Sequence, residues 1–489
     1  MPKPNRINLS HWHTPLLSEL IKTTLQDRTS FHTPGHKQGQ GIEPKLQQLL
    51  GEKVFIADLP ELPDLDNLFA PTEAIADAQL LAADCFGAST SWFLINGSTC
   101  GIMAAIMATC NAGEKIILPR NIHRSAIAGL IFTGAIPVFI NPETDVFSDI
   151  TYSITPEALE KTLATHPDAK GVIILHPSYQ GICCDISKIC EITHRHNIPL
   201  IVDEAHGGHF AFHPDLPPSA LSVGADLTVQ STHKVLGAMT QASMLHVQGN
   251  RIDPPRISRA LALLQSTSPN YILLASLDAA RCQMATKGRK LMDRALSLAR
   301  KARKEIAKIP HLSVLEYSDR PGFKYLDATR LTVNIRELGI TAYEADEILH
   351  YQLGVTCELP LLYHLTFIIT FGNTEADIDR LVAALATLAR AKPQTPQHLS
   401  SMTLPTTELK LTPREAHFAP IETIPLNEAS DRISAELLCP YPPGIPILMP
   451  GEVISNEAIS YLQQVLNSGG IITGCKDPSL ETIEVIKRH

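Results

Sequence analysis

The chain has no uninterrupted apolar run long enough to span a bilayer, and its opening stretch, MPKPNRINLSHWHTPLLSEL, contains no apolar h-region. A membrane span and a secretory signal are therefore not expected, and the protein should remain in the cytoplasm. Blocks of like charge are missing too: 41 Lys and Arg stand against 50 Asp and Glu, a net charge of −9. Neither a nucleic-acid surface nor a polybasic membrane patch fits that distribution, and the mild negative bias favours cationic small molecules. Ten cysteines occur without a CxxC pair, and Cys183 and Cys184 are adjacent. Reduced, mostly buried thiols are expected rather than a disulfide framework or a zinc site, and no metal is implied. Internal repeats and low-complexity segments are absent. What is present is 489 residues, 44% hydrophobic and 19% charged, enough for two or three globular domains with at least one large core.

From about residue 72 helical and strand-like patterns alternate. EAIADAQLLAADCFG reads as a helix closed by Gly87, SWFLIN as a strand, and STCGIMAAIMATC as a helix entered from a glycine turn. KIILP, IPVFI, GVIIL and PLIVDEAH continue the strands, with SAIAGLIFTG, TPEALEKTLATH and CDISKICEITHRH between them. Such alternation predicts an α/β large domain over residues 72–308, with a mostly parallel sheet covered by helices on both faces. Residues 278–308 predict a long helix leaving it. RLTVNI, TAYEADEILHYQLG, LTFIITFG and EADIDRLVAALATLARA suggest a smaller α+β domain over 309–392. A polar, Pro-containing linker follows at 393–412, then a C-terminal subdomain at 413–489 in which CPYPPGIPILMPGE reads as a rigid crossing.

In parallel sheets ligands sit beyond the carboxyl ends of the strands, and several strand ends here carry suggestive polar groups. NGSTC follows SWFLI, so Ser98 and Thr99 open a helix whose free amides and dipole suit an anion, an ordinary N-cap being the alternative. His123 follows KIILP and can stack on a planar ring or simply satisfy a loop. Ser178 and Tyr179 follow GVIIL at the same edge, with Ser178 a candidate to bind substrate. Asp203 ends PLIVD, where a buried carboxylate needs a cationic or hydrogen-bonding partner, and His206 lies just beyond. After ADLTVQ comes Lys234, among neighbours too small to cover its stem. A desolvated lysine can lose its proton and attack a carbonyl, although a lone lysine is more often a solvated surface residue. Taken jointly, an anion cradle, a ring-stacking imidazole, a carboxylate for a pyridinium nitrogen and an amine for an aldehyde meet the requirements of pyridoxal 5′-phosphate (PLP).

STHKVLGAMTQASMLH, VDEAHG, NGSTCG, RNIHRSA, FHTPGHKQG, LLQSTSPNYILLASLDAAR and YPPGIPILMPGE together resemble the Orn/Lys/Arg decarboxylases of the aspartate aminotransferase-like fold, PLP fold type I. The resemblance runs from about residue 30 to 460 and is to the short members, without an N-terminal wing domain. It implies that Lys234 binds PLP covalently, Asp203 faces the ring nitrogen, His123 stacks on the ring, and His206 lies near cofactor and substrate carboxylate. Ser98, Thr99 and Cys100 would lie at the phosphate cradle with Ser231 and His233. Cys100 departs from the hydroxyl residue common there. Ser266 and Thr267 resemble residues offered from a neighbouring subunit, implying a homodimer with shared active sites. Residues 1–71 would lie near the active-site entrance and dimer interface, with His36 from FHTPGHKQG close to substrate.

The implied reaction is α-decarboxylation of a basic amino acid, with Lys234 or His233 returning a proton to Cα and polyamine synthesis as the destination. Selectivity needs a distal carboxylate, for which GVTCELP offers Glu358, while Asp64 and Asp66 in DLPELPDLDNL can line the entrance and Glu61 reads as a surface charge. A carboxylate pairs bidentately with a guanidinium, so arginine is favoured over lysine and then ornithine. Two other readings stay open. A fold type I aminotransferase or related lyase would need an arginine for the α-carboxylate, such as Arg330 or Arg336. A catalytically silent regulatory copy would have been free to lose Lys234.

Overall fold

Seven apolar segments of four or five residues build the central sheet: β1 (Thr90–Leu94), β2 (Lys115–Pro119), β3 (Ile136–Ile140), β4 (Val172–Leu175), β5 (Leu200–Asp203), β6 (Leu227–Gln230) and β7 (Ser243–Val247). The computed structural model describes residues 10–145, 150–391, 405, 407–441 and 445–488. The strand order is β1-β7-β6-β5-β4-β2-β3. Neighbours from β6 across to β3 run parallel, whereas β7 is antiparallel to both β6 and β1. Alternate residues of the inner strands point to opposite faces. Ile116, Ile173 and Ile201 join a core with the helices Gly97–Thr109 and Arg124–Thr133. Ile117, Ile174 and Val202 join another with Pro156–Thr165 and Ile186–Arg195. Each such side chain contributes roughly 1.5–3 kcal/mol on burial, and the two-sided covering explains why these strands read as continuous apolar runs. Gly101 lets Gly97–Thr109 approach the sheet, since a Cβ there would come within 2.8 Å of Leu94 and 2.7 Å of Val229.

Helix ends follow local chemistry. Ala74–Phe86 stops at Gly87, whose φ of 76° is left-handed, and Arg124–Thr133 stops at Gly134 in the same way (φ 74°). The long helix spans Tyr271–Ile306 and so begins before residue 278, because the Asn270 side chain accepts from the amides of Ile272 and Leu273 (2.9 and 3.1 Å). Against it lies the first helix, Pro15–Thr24, held by a fully buried Arg281–Asp278 pair. Arg281 donates to the carbonyls of His11 and His13 (2.9 and 2.6 Å), and Asp278 accepts from the amides of Leu16 and Leu17.

A second, antiparallel sheet orders Ser313–Val314, Arg330–Asn334, His364–Ile368 and Leu359–Pro360, and the helices Ala342–Tyr351 and Glu375–Ala391 complete this smaller α+β unit. Most of the expected linker, residues 393–404 and 406, lies outside the described residues, as do 442–444 of the Pro-rich crossing. Beyond the linker, Ile421–Pro425 pairs with Thr482–Ile486, and Cys439–Tyr441 pairs with Ile471–Thr473. This C-terminal region is tied to the large domain by Glu452, buried 2.9 Å from Arg120, which immediately follows β2 and also donates to the Ile447 carbonyl. All ten cysteines are free. Among the described residues no helix is long and apolar enough to cross a membrane.

Candidate active site

The adjacent parallel strands β5 and β6 deliver the central groups. Asp203 ends β5 beside Val229 of β6, and β6 runs into a short helix, Thr232–Val235, that carries Lys234. Asp203 is 3% exposed, and its hydrogen bond comes from the Ala205 amide at 3.2 Å. Burial pushes its carboxyl up to about 6, opposed by the charge of Lys234. Burial in turn lowers the Lys234 amine, with Asp203 opposing and Arg330 adding to the effect. The Lys234 Nζ lies 3.0 Å from His206 Nε2 and 5.8 Å from the centre of the Tyr179 ring, which itself leans on His206. Burial holds the His206 imidazole neutral, and its Nδ1 is buried with no hydrogen-bond partner among the described residues.

Around this centre the chain supplies an anion cradle. Gly97 (φ 71°) turns β1 into the helix Gly97–Thr109, whose first turn carries Ser98 and Thr99. Ser231 donates to the Ser98 hydroxyl at 2.8 Å, joining the cradle to the residues just before Lys234. Cys100 turns its thiol inward, donating to the Gly97 carbonyl at 3.1 Å within the apolar core. His123 caps the helix Arg124–Thr133 by accepting from the Ser125 amide, and burial lowers its pKa to about 4. The Nδ1 of His233 donates to the Ala242 carbonyl at 2.9 Å.

The expected substrate residues are placed differently. Glu358 is exposed, and its charge is felt at both Lys234 and Arg330. Ser178 is buried and its hydroxyl accepts from the Ile182 amide, closing a turn. His36 is engaged by Asp58 at 3.1 Å and by the Gly39 amide. Asp64 pairs with Arg28. Asp66 accepts from the amides of Asn67, Thr72, Glu73, Ile75 and Ala76, so its carboxylate organises the start of Ala74–Phe86. Glu61 binds the Asn67 side chain and the Leu68 amide. Ser266 and Thr267 face solvent.

Sequence reasoning missed Glu204 and Asp327 behind the site, and named Arg330 only as a transaminase's candidate for the α-carboxylate. Glu204 is fully buried, accepts from the Ala220 amide, Thr228 and Gln230, and is pushed up to about 7 by burial. Arg330 is also fully buried; its Nη2 donates to the His206 carbonyl at 3.1 Å, and Asp327 lies 3.9 Å from its Nε. Asp327 is held down to about 2, chiefly by His209 at 3.1 Å, despite complete burial. Arg336 lies over the Tyr363 ring instead. The only sequence signal for these partners was charge inside otherwise apolar or small-residue stretches.

A 3-2-4-5-6-7-1 sheet with only β7 reversed, carrying a half-buried lysine and a buried aspartate at the carboxyl ends of neighbouring strands, defines the aspartate aminotransferase-like fold, type I. The model of the Orn/Lys/Arg decarboxylase major domain matches residues 14–324, and that of the family's C-terminal domain matches 396–474. The chain belongs to the Orn/Lys/Arg decarboxylase family. It is 40% identical to an arginine decarboxylase of Bacillus subtilis over 487 residues, covering 98% of this chain and 99% of that protein. An arginine decarboxylase of Halalkalibacterium halodurans is also 40% identical, over 97% of this chain and 98% of that one. The crystal structure of a Francisella novicida lysine decarboxylase superposes with a TM-score of 0.84 at 24% identity, covering 97% of this chain and 81% of that one, and shares the fold.

Proposed function

We propose that this protein removes the α-carboxylate of a basic amino acid as CO₂, with arginine preferred over lysine and ornithine, using PLP bound at the Lys234 site. The observation that carries the reading is the juxtaposition of a half-buried amine with a buried carboxylate that has no ion-pair partner among the described residues. The residues present fit the cofactor: among the described residues Asp203 has no ion-pair partner and the buried His206 Nδ1 has no hydrogen-bond partner, and Ser98, Thr99 and Ser231 surround a helix N-terminus suited to phosphate. PLP, when bound, supplies an electron sink for the pair released as the Cα–carboxylate bond breaks.

The chain's own groups do the rest. Lys234 would hold the cofactor covalently, and Asp203 would keep the ring nitrogen protonated. His123 would cover the ring face. Because His233 Nδ1 donates to the Ala242 carbonyl, its Nε2 is left as an acceptor in the neutral ring. Lys234 is then the better acid to return a proton to Cα. Arg330, the arginine that a transaminase would need, is fully buried and directs its Nη2 to the His206 carbonyl at 3.1 Å. Glu358 is the distal carboxylate suited to a guanidinium, and both relatives at 40% identity bear the name arginine decarboxylase.

Exposed Ser266 and Thr267, close to Leu263 at 76% exposure, support a homodimer in which each copy completes the other's phosphate site. Ten unpaired thiols suit the cytoplasm. The test is purified protein with PLP, offered arginine, lysine and ornithine separately. Agmatine should predominate over cadaverine and putrescine, whereas keto-acid formation without CO₂ would overturn the assignment.

A further inference from the structure

Arg330 opens the small-domain strand Arg330–Asn334, yet its guanidinium is wholly buried and reaches across to the large domain. Both domains grip it. The Arg303 side chain of the long helix donates to the Arg330 carbonyl at 2.9 Å, and Gly181 (φ 87°) leaves room for its stem, since a Cβ there would fall 2.7 Å from Arg330 Cβ and 2.9 Å from Cγ. Its Nη2 donates to the His206 carbonyl at 3.1 Å. The rest of the charge is poorly answered. Asp327 lies 3.9 Å from Nε, too far for a hydrogen bond, because its oxygens are engaged by His209 at 3.1 Å and by the Thr329 amide and hydroxyl at 2.9 and 2.7 Å. Nε and Nη1 are buried without a hydrogen-bond partner among the described residues. A fixed cation beside two proton-binding groups acts on how many protons they hold.

We propose that Arg330 is a positioning residue for the Lys234 and His206 pair: through the His206 carbonyl it fixes the imidazole against the amine, and through its charge it confines the pair to a single proton, held on Lys234. Only the use of that proton, its return to Cα, rests on the decarboxylase reading. The groups facing the pair divide by sign. At Lys234 burial opposes the proton most, Asp203 and Glu358 favour it, and Arg330 opposes it. At His206 burial again dominates, and Lys234, Arg330, His123 and His233 all oppose a second proton. Tyr179 presents its ring to both members. Arg330 acts on both, and unlike the histidines its charge is permanent.

The experiment reads the amine in PLP-free full-length protein and catalysis in the holoenzyme. Acetylation of Lys234 by acetic anhydride is followed against pH by mass spectrometry in the parent, Arg330→Gln and Arg330→Lys, each first checked for a cooperative melting transition. The parent midpoint should lie below that of surface lysines. Arg330→Gln should move it up by about one pH unit, and Arg330→Lys, which keeps the charge, should leave it near the parent value. A parent midpoint equal to that of surface lysines, no shift in Arg330→Gln, or equal upward shifts in both variants, the mark of loosened packing alone, would overturn the charge role. In PLP-loaded enzyme Arg330→Gln should lower kcat for arginine about tenfold, with KM and inhibition by agmatine changed by less than about twofold. A rise in KM of about tenfold with agmatine inhibition unchanged would make Arg330 the ligand of the substrate carboxylate and overturn the positioning role. Should the parent release no CO₂ from arginine, lysine or ornithine, the decarboxylase reading falls while acetylation still decides on Arg330.

Discussion

Two regions of this molecule bury charge in opposite ways. Where the N-terminal helix meets the long helix, Arg281 and Asp278 are both fully buried and answer each other, with nearby backbone groups taking up further bonds. At the edge of the central sheet, Asp203 is buried and Lys234 half-buried, yet neither takes part in an ion pair among the described residues. Paired burial fastens one segment to another. Unpaired burial costs stability in the empty protein and creates a place that a ligand of matching charge can fill.

That contrast can be broken by experiment. The largest effect is expected for Lys234→Ala, which should lower CO₂ release from arginine by about 10³-fold or more while leaving the melting temperature of the PLP-free protein unchanged or raised. A variant that stays active, or one that collapses, would erase the distinction between the two regions. Next comes Arg281→Ala, which strands the Asp278 carboxylate and should cost about 3–5 kcal/mol in urea denaturation.

Third is the pH dependence of the PLP-free protein. The Asp203 carboxyl titrates at about 6 when folded, above its ordinary 3.8, so the unfolded chain ionises first as pH rises. Stability should fall between pH 4 and pH 7, by up to about 3 kcal/mol from this group. Glu204, at about 7, adds a fall of the same sign. Asp203→Asn should remove the first contribution, and PLP should stabilise the parent protein more at pH 7 than at pH 4. A flat profile would count against an uncompensated carboxylate. The smallest effect is expected for Ser231→Ala, which deletes the 2.8 Å bond to Ser98 and should weaken PLP affinity by several-fold, about 1 kcal/mol, in a spectroscopic titration.

Much of the fold could be read from local pattern. Gly87 ends its helix as expected, because a left-handed cap is a local requirement, and Gly134 ends another in the same way. Apolar runs located β1 to β6, but hydrophobic periodicity carries no information on direction, so the reversal of β7 went unread. The long helix was placed too late because its first turn is set by the Asn270 cap rather than by its Ala- and Lys-rich body. At the site, Lys234, Asp203 and His206 stood out as polar residues at strand ends, where chain topology brings them together. Asp66 was open to misreading: a carboxylate in a polar loop looks alike whether it faces solvent or gathers five backbone amides. Arg330 and Asp327 needed the small domain to be folded against the large one before their partners existed.

The Arg120–Glu452 contact sets a limit on dissection of the chain. Arg120 lies in the turn that presents His123, and its guanidinium is only 5% exposed. Trimming the protein back to its major domain would strip that guanidinium of its anion and of the Ile447 carbonyl, and the disturbance would begin three residues from the imidazole assigned to the cofactor ring. The C-terminal region is thus a stabilising brace for the active-site floor, and a shortened version should lose cofactor retention before it loses its fold.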